Sequence, residues 1–358
     1  MLAATFVHES AMQTATAKRI SVLRIAHVYY QHKDINDACK FLADFGFVEE
    51  RRVGERIYFR GYGTEPFVYC AEKADEDMFG GAAFAVASFE DLELARQLVP
   101  SASEIYELDD APGGGRCVTF HDPVDGFPFH LVHGQSPAEP RASFPQLDFN
   151  FVRPMRNPND KKRAVNHFQR FAKGPAPVHK MGHFGVCVTN FAKAYEFYTT
   201  KFNFKASDLL HDEAGRQITA FMHIDLGEEL VDHHSFFLFE GPEHHVHHSS
   251  FEVHDFDIQV LGHDWLRERG YRNCWGVPMA CIWENEFCGS EVICVYRFDP
   301  SGFILEHYVD GDLVNCEAET KISQASPHGL HIWGQSPYRL KPSFVRVLIP
   351  VSQDLICQ

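Results

Sequence analysis

Asp299-Pro-Ser-Gly-Phe-Ile-Leu-Glu306 and Asp122-Pro-Val-Asp-Gly-Phe-Pro-Phe-His130 are the same phrase written twice, with one residue inserted in the earlier copy. A second pair accompanies it: Arg24-Ile-Ala-His-Val-Tyr29 matches Lys180-Met-Gly-His-Phe-Gly185. The second pair occupies the first apolar run of each half of the chain, and the first pair the last. Two phrases recurring in the same order mark a duplicated structural unit.

Between these anchors the pattern is regular. Residues 23–30 alternate like a strand, and Asp34 to Phe45 places Ala38, Phe41, Leu42 and Phe45 at helical spacing. Asp34 suits the N-cap and Gly46 the C-terminal stop. Short strands broken by Gly54, Gly61 and Gly63 follow, making one βαβββ unit. A second unit begins at Ala83, with its helix at Phe89–Leu98. The pattern restarts at Lys180 with a helix from Phe191 to Phe202, and again at His248 with a helix from about Ile258 to Arg269.

The fold class expected is α+β. Two domains each carry two βαβββ modules, forming a curved, barrel-like mixed sheet with the helices outside. The boundaries expected are a tail at 1–19, a domain at 20–137, a Pro-rich linker at 138–178, a domain at 179–312 and an extension at 313–358. Pro140, Pro145, Pro154, Pro158, Pro175 and Pro177 mark the linker.

Composition narrows the function. The chain has 358 residues and a formal charge of −16, from 33 basic and 49 acidic residues. That field repels phosphate backbones, so no nucleic-acid partner is expected. The longest uncharged apolar run, Phe79 to Phe89, is far short of the ~20 residues that span a bilayer. No membrane association is expected. Ten cysteines without a CxxC pair read as reduced thiols in a cytoplasmic protein.

Three side chains on apolar strands of the second half carry metal-ligand chemistry: His183, His248 and Glu306. A carboxylate beside Phe303, Ile304 and Leu305 is costly to bury unless paired or metal-bound. Two neutral imidazoles and one carboxylate on one face leave positions open on a divalent ion, the facial arrangement of non-heme iron(II) oxygenases. Zinc or manganese suits the same ligands. An edge strand with solvent-facing His and Glu is the other reading of this spacing.

Residues 180–312 resemble a type I extradiol ring-cleavage dioxygenase of the vicinal oxygen chelate (glyoxalase/bleomycin-resistance-like) superfamily. The resemblance rests on Tyr296-Arg-Phe-Asp-Pro-Ser-Gly-Phe-Ile-Leu-Glu306-His-Tyr and on His247-His248-Ser-Ser-Phe251. It implies iron(II), with manganese(II) as the alternative, held by His183, His248 and Glu306. It implies His234, fourteen residues before His248, as the acid/base, with His233 as its alternate on the other face of the strand. It implies Tyr296 as a second catalytic group that holds a substrate oxygen. Substrate contacts are expected from His223, His234 and Tyr296, His223 from Arg216-Gln-Ile-Thr-Ala-Phe-Met-His223.

The partners expected are a small aromatic diol and dioxygen, in a homo-oligomer. The first half keeps His27 and His130 at the matching positions but has Gly81 where His248 stands, so a structural, metal-free role is expected for it. The stretch Trp275 to Ser290 departs from the family. Phe287 stands where a histidine is usual, and Glu284 or Glu286 are the nearest acceptors. That departure keeps other readings open: an isomerase, lyase or hydrolase on the same fold, or an aromatic-ligand binding protein.

Overall fold

The computed structural model describes residues 18–140, 173–276, 293–309 and 311–325. The first half holds β1 (Val22–His32), α1 (Ile35–Phe45), β2 (Val48–Val53), β3 (Arg56–Arg60), β4 (Tyr69–Lys73), β5 (Met78–Val86), α2 (Phe89–Leu98), β6 (Tyr106–Glu107), β7 (Arg116–His121) and β8 (Pro128–His133). The second holds β9 (Val178–Val188), α3 (Phe191–Lys201), β10 (Phe204–His211), β11 (Gln217–Ile224), β12 (Val231–Asp232), β13 (Phe236–Glu240), β14 (His245–Val253), α4 (Phe256–Glu268), β15 (Asn273–Gly276), β16 (Ile293–Phe298) and β17 (Ile304–Val309). Two further strands, β18 (Leu313–Val314) and β19 (Lys321–Gln324), follow.

Each half is therefore βαβββ twice over, in a mixed sheet. The first sheet runs β2-β3-β4-β1-β5-β8-β7-β6, and the second β15-β16-β17-β14-β9-β13-β11-β10-β19. Modules meet through their first strands, β1 against β5 and β9 against β14, both antiparallel. The two-domain α+β architecture expected from the repeat is the one observed. Beyond residue 312, β18 pairs with β12, and β19 adds a parallel edge strand to β10.

Local chemistry explains the elements. Asp34 caps α1 by accepting from the backbone N–H of Asn36 and Asp37 at 3.1 and 3.0 Å. Gly46 ends it at φ 119°, and a Cβ there would lie 1.7 Å from the Ala176 carbonyl oxygen, so no other residue fits. The twice-written phrase is a turn. Asp122 accepts from the N–H of Val124 and Asp125, and Asp299 from the N–H of Phe303 at 2.8 Å.

One hydrophobic core runs through both halves. Phe84 packs on Phe184 with ring centroids 5.7 Å apart, and Phe47 meets Phe251 edge-on at 4.7 Å. Buried polar contacts also cross between the halves. The Tyr30 hydroxyl meets Ser249 Oγ at 2.8 Å, and His307 Nε2 donates to the Phe45 carbonyl at 2.8 Å. No helix of the described residues is long and apolar enough to cross a membrane.

Candidate metal centre

His183, His248 and Glu306 sit in the interior of three neighbouring strands, β9, β14 and β17, rather than at the strand starts expected for the histidines. Register sets their common face. Ser250 pairs with His183 on one side and with Glu306 on the other, and His248 lies two residues from Ser250. Side chains two apart share a face. Tyr296 pairs with Glu306 across β16 and β17 and joins them.

The ligand atoms converge. Nε2 of His183 and of His248 lie 2.9 and 3.1 Å from Glu306 Oε2, and 3.2 Å from each other. Ligands at right angles on ~2.1 Å bonds stand ~3.0 Å apart, whereas tetrahedral ligands stand ~3.4 Å apart. The three separations bracket the right-angle value. Three donor atoms this close can all reach one ion.

All three residues are buried, Glu306 completely, and among the described residues they form the group with metal-ligand geometry. Glu306 Oε2 meets the two imidazoles, and Oε1 has no hydrogen-bond partner. Burial raises the Glu306 carboxyl, but the charge and hydrogen bonding of His183 and His248 outweigh it and hold the group well below the usual carboxylate range. Burial lowers His248, against the pull of Glu306. An ionised carboxylate facing two imidazoles in a dry site fits a divalent cation.

His247 is a finding that strand alternation would not give. Between Val246 and His248 the register with β9 slips by one residue, so His247 is an extra residue in a β-bulge. Bulges re-aim side chains beside functional sites. Here the bulge brings His247 Nδ1 to 2.6 Å from His248 Nδ1, and the Phe237 ring touches both imidazoles. A proton donated from His248 Nδ1 to His247 leaves His248 Nε2 bare, which is the ligand form.

His234 packs on His183 with ring centroids 4.3 Å apart. Burial, then the neighbouring His183 and His233, push it well below the usual imidazole range, so it is neutral at pH 7. His233 does not face away as expected. Residues 233–235 precede β13 and lack strand alternation, and His233 Nδ1 meets His234 Nδ1 at 3.2 Å. His233 Nε2 lies 3.2 Å from Asp208 Oδ2. A proton on the nitrogen that faces the carboxylate leaves His233 Nδ1 to accept from His234, so His234 keeps Nε2 bare.

Tyr296 is buried with its ring 5.0 Å from that of His248. His223 is buried on β11, two residues from Phe221, whose ring meets His234 edge-on at 5.2 Å. Phe221 and Phe237 build an apolar wall beside the ligands. Asp208, Ser207 and Tyr308 went unread in the sequence. Tyr308, two residues beyond Glu306, keeps a buried hydroxyl without a hydrogen-bond partner, and its ring lies 5.4 Å from His183. Only its position was a signal. Asp208 has none, being far from His233 in sequence. Glu284, Glu286 and Phe287 lie outside the described residues.

The first half repeats the frame with other chemistry. His27 pairs with Ala83, and Ala83 with His130, as His183 pairs with Ser250 and Ser250 with Glu306. Gly81 then takes the place of His248. His27 stacks on Phe67 at 3.9 Å and bonds the Tyr29 hydroxyl at 3.0 Å. His130 uses both nitrogens, on Thr119 Oγ1 and the Gly80 carbonyl. A Cβ at Gly81 would lie 2.3 Å from the Pro128 carbonyl oxygen.

Comparison with known proteins agrees with this architecture. Residues 180–306 match the family model of the Glyoxalase/Bleomycin resistance protein/Dioxygenase superfamily. The Mn(II)-bound glyoxalase from Novosphingobium aromaticivorans superposes with a TM-score of 0.70 at 21% identity, covering 91% of this chain and 94% of its own. Homoprotocatechuate 2,3-dioxygenase from Brevibacterium fuscum, in complex with 3,4-dihydroxyphenylacetate, gives 0.69 at 15% identity, covering 92% of each chain. BphC, a halotolerant catechol dioxygenase, gives 0.66 at 17% identity, over 91% of this chain and 97% of its own. No curated protein matches the sequence. At these identities the structural likeness carries the fold, with two mixed-sheet domains and one of them curled into a half-barrel.

Proposed function

We propose that this protein is an iron(II)-dependent extradiol dioxygenase that opens the ring of a catecholic substrate with dioxygen. The observation that carries the reading is the buried His183–His248–Glu306 face with the neutral His234 packed on it at 4.3 Å. Ferrous iron held there would supply chelation of two vicinal oxygens and one-electron chemistry toward dioxygen. Both oxygen atoms enter the product, so no outside reductant is needed.

The chain's own residues do the rest. His234, with Nε2 bare, takes a proton from a diol hydroxyl and later returns one. Tyr296 orients the substrate oxygen beside His248. Phe221 and Phe237 receive the flat ring and exclude water. In this reading residues 179–312 are the catalytic unit and 20–137 its structural partner, in a cytoplasmic homo-oligomer.

A second reading has specific support. The Mn(II)-bound glyoxalase shares the fold at the highest identity of the three structures above, and Phe287 departs from the dioxygenase pattern. That reading is a non-oxidative isomerase, lyase or hydrolase, with manganese or another divalent ion as Lewis acid. Metal analysis joined to oxygen uptake across a catechol panel separates the two. One dioxygen consumed per ring opened, and no turnover under argon, is the expected result. Anaerobic turnover overturns the dioxygenase reading.

A further inference from the structure

Ser207 is the extra residue of a β-bulge in β10, between Ala206, which pairs with Met222, and Asp208, which pairs with Phe221. The bulge turns its hydroxyl toward two groups at once. Ser207 Oγ lies 2.5 Å from the His233 carbonyl oxygen and 2.7 Å from His223 Nδ1. A hydroxyl has one proton to give, and a carbonyl only accepts. The proton therefore goes to the His233 carbonyl, and His223 must donate from Nδ1. Burial holds His223 down to about 4, so the ring is neutral and has no second proton. Its Nε2 is a bare acceptor, fully buried and without a partner.

A buried acceptor left unpaired is costly, so such a group calls for an explanation. The position of His223 offers one. It points to the same face of β11 as Phe221, which packs on His234 and Phe237. We infer that His223 Nε2 is a specificity-determining acceptor, which selects substrates whose aromatic ring carries a neutral hydrogen-bond donor. A hydroxyl, hydroxymethyl or amide N–H substituent completes it. A carboxylate substituent presents lone pairs to a lone pair. Lys180, three residues before His183, is already engaged by Asp232 at 2.7 Å and Glu252 at 3.8 Å, so it is not free to neutralise such an anion.

The inference rests on the catechol reading, and the test keeps the two apart. The metal-loaded full-length protein is titrated under argon with catechols carrying hydroxymethyl, ethyl or carboxylate at ring position 3 or 4. At one of these positions the hydroxymethyl compound should bind about tenfold or more tighter than the ethyl and carboxylate compounds. His223→Leu should bring hydroxymethyl and ethyl within about twofold, and His223→Gln, which keeps an acceptor, should restore part of the preference. Equal binding of hydroxymethyl and ethyl, or tightest binding of a carboxylate, overturns the inference. So does a preference that survives in His223→Leu. If no catechol binds at all, it is the dioxygenase reading that fails. Nitrogen-15 NMR of the unmodified protein without ligand adds a check that needs no variant: His223 should show a protonated Nδ1 and a bare Nε2, and the opposite tautomer overturns the assignment.

Discussion

His247 and His248 occupy consecutive positions, yet His248 faces the candidate metal site and His247 meets it from behind, Nδ1 to Nδ1. His183→Ala, His248→Ala or Glu306→Ala should each abolish stoichiometric metal binding, read by elemental analysis after dialysis. His247→Ala should act differently. It removes the acceptor 2.6 Å from His248 Nδ1, and losses of this kind cost about 10–100-fold in metal affinity rather than the site itself. Competition against a chelator reads that difference, and unchanged affinity would place His247 outside the support of the ligand. His234→Gln should keep the metal and lower turnover ~10²–10⁴-fold. Asp208→Asn should lower it less, by loosening His233. The three candidate ligand residues were legible because a carboxylate and two imidazoles stand among strand-forming apolar residues. The contacts of His247, His233 and Asp208 were not, since alternation assumes an unbroken ladder and these depend on a bulge, a bend and a contact across strands.

At the scale of elements, bulges do the aiming, and both halves keep them in matching places. Gly80 is the extra residue in β5 as His247 is in β14, and Ala26 in β1 as Gly182 is in β9. The helix and strand periods, the caps and the turn phrase could be read from sequence because each is local. A bulge depends on what the neighbouring strand demands, and a single chain does not print that. Gly185 shows how little room the arrangement leaves. It pairs with both His248 and Phe237, and a Cβ there would lie 1.9 Å from the Phe237 ring. Gly185→Ala must push that ring off the imidazoles. Overpacking of this kind typically costs 1–3 kcal/mol, so the melting temperature should fall by several degrees, with metal affinity reduced as well. A melting point unchanged within a degree would mean that the wall yields freely and does not brace the ligands.

For the whole molecule, the telling feature is the number of histidines buried neutral away from the metal face. Burial holds His32, His130 and His263 at about 4 and His307 at about 3. In the unfolded chain each returns to ~6.5. As pH falls from 6.5 to 4 the unfolded state takes up these protons and the folded state does not, so stability falls with pH. Asp299 works against them. Its burial beside Asp77 raises it to about 7, although the N–H groups of Phe303, Ser301 and Gly302 oppose the shift. Its unfolded value is ~3.9, so between those values the folded state holds the proton and stability falls as pH rises. In the shared window four histidines outweigh one carboxyl, and the net slope is positive, at roughly 1.4 kcal/mol per pH unit for each net proton at most. Above about 6.5 the histidine and Asp299 contributions fade together, and the slope flattens without changing sign. Asp299→Asn removes the opposing group alone. Relative to the parent chain, its melting temperature should climb more steeply from pH 4.5 to 6. The metal's own pH dependence is common to both proteins and cancels in that comparison. Parallel profiles would mean that Asp299 is ionised in the folded state. The His32 imidazole, 4.0 Å from Asp299 Oδ2 across the join between the halves, would then have to carry the matching charge.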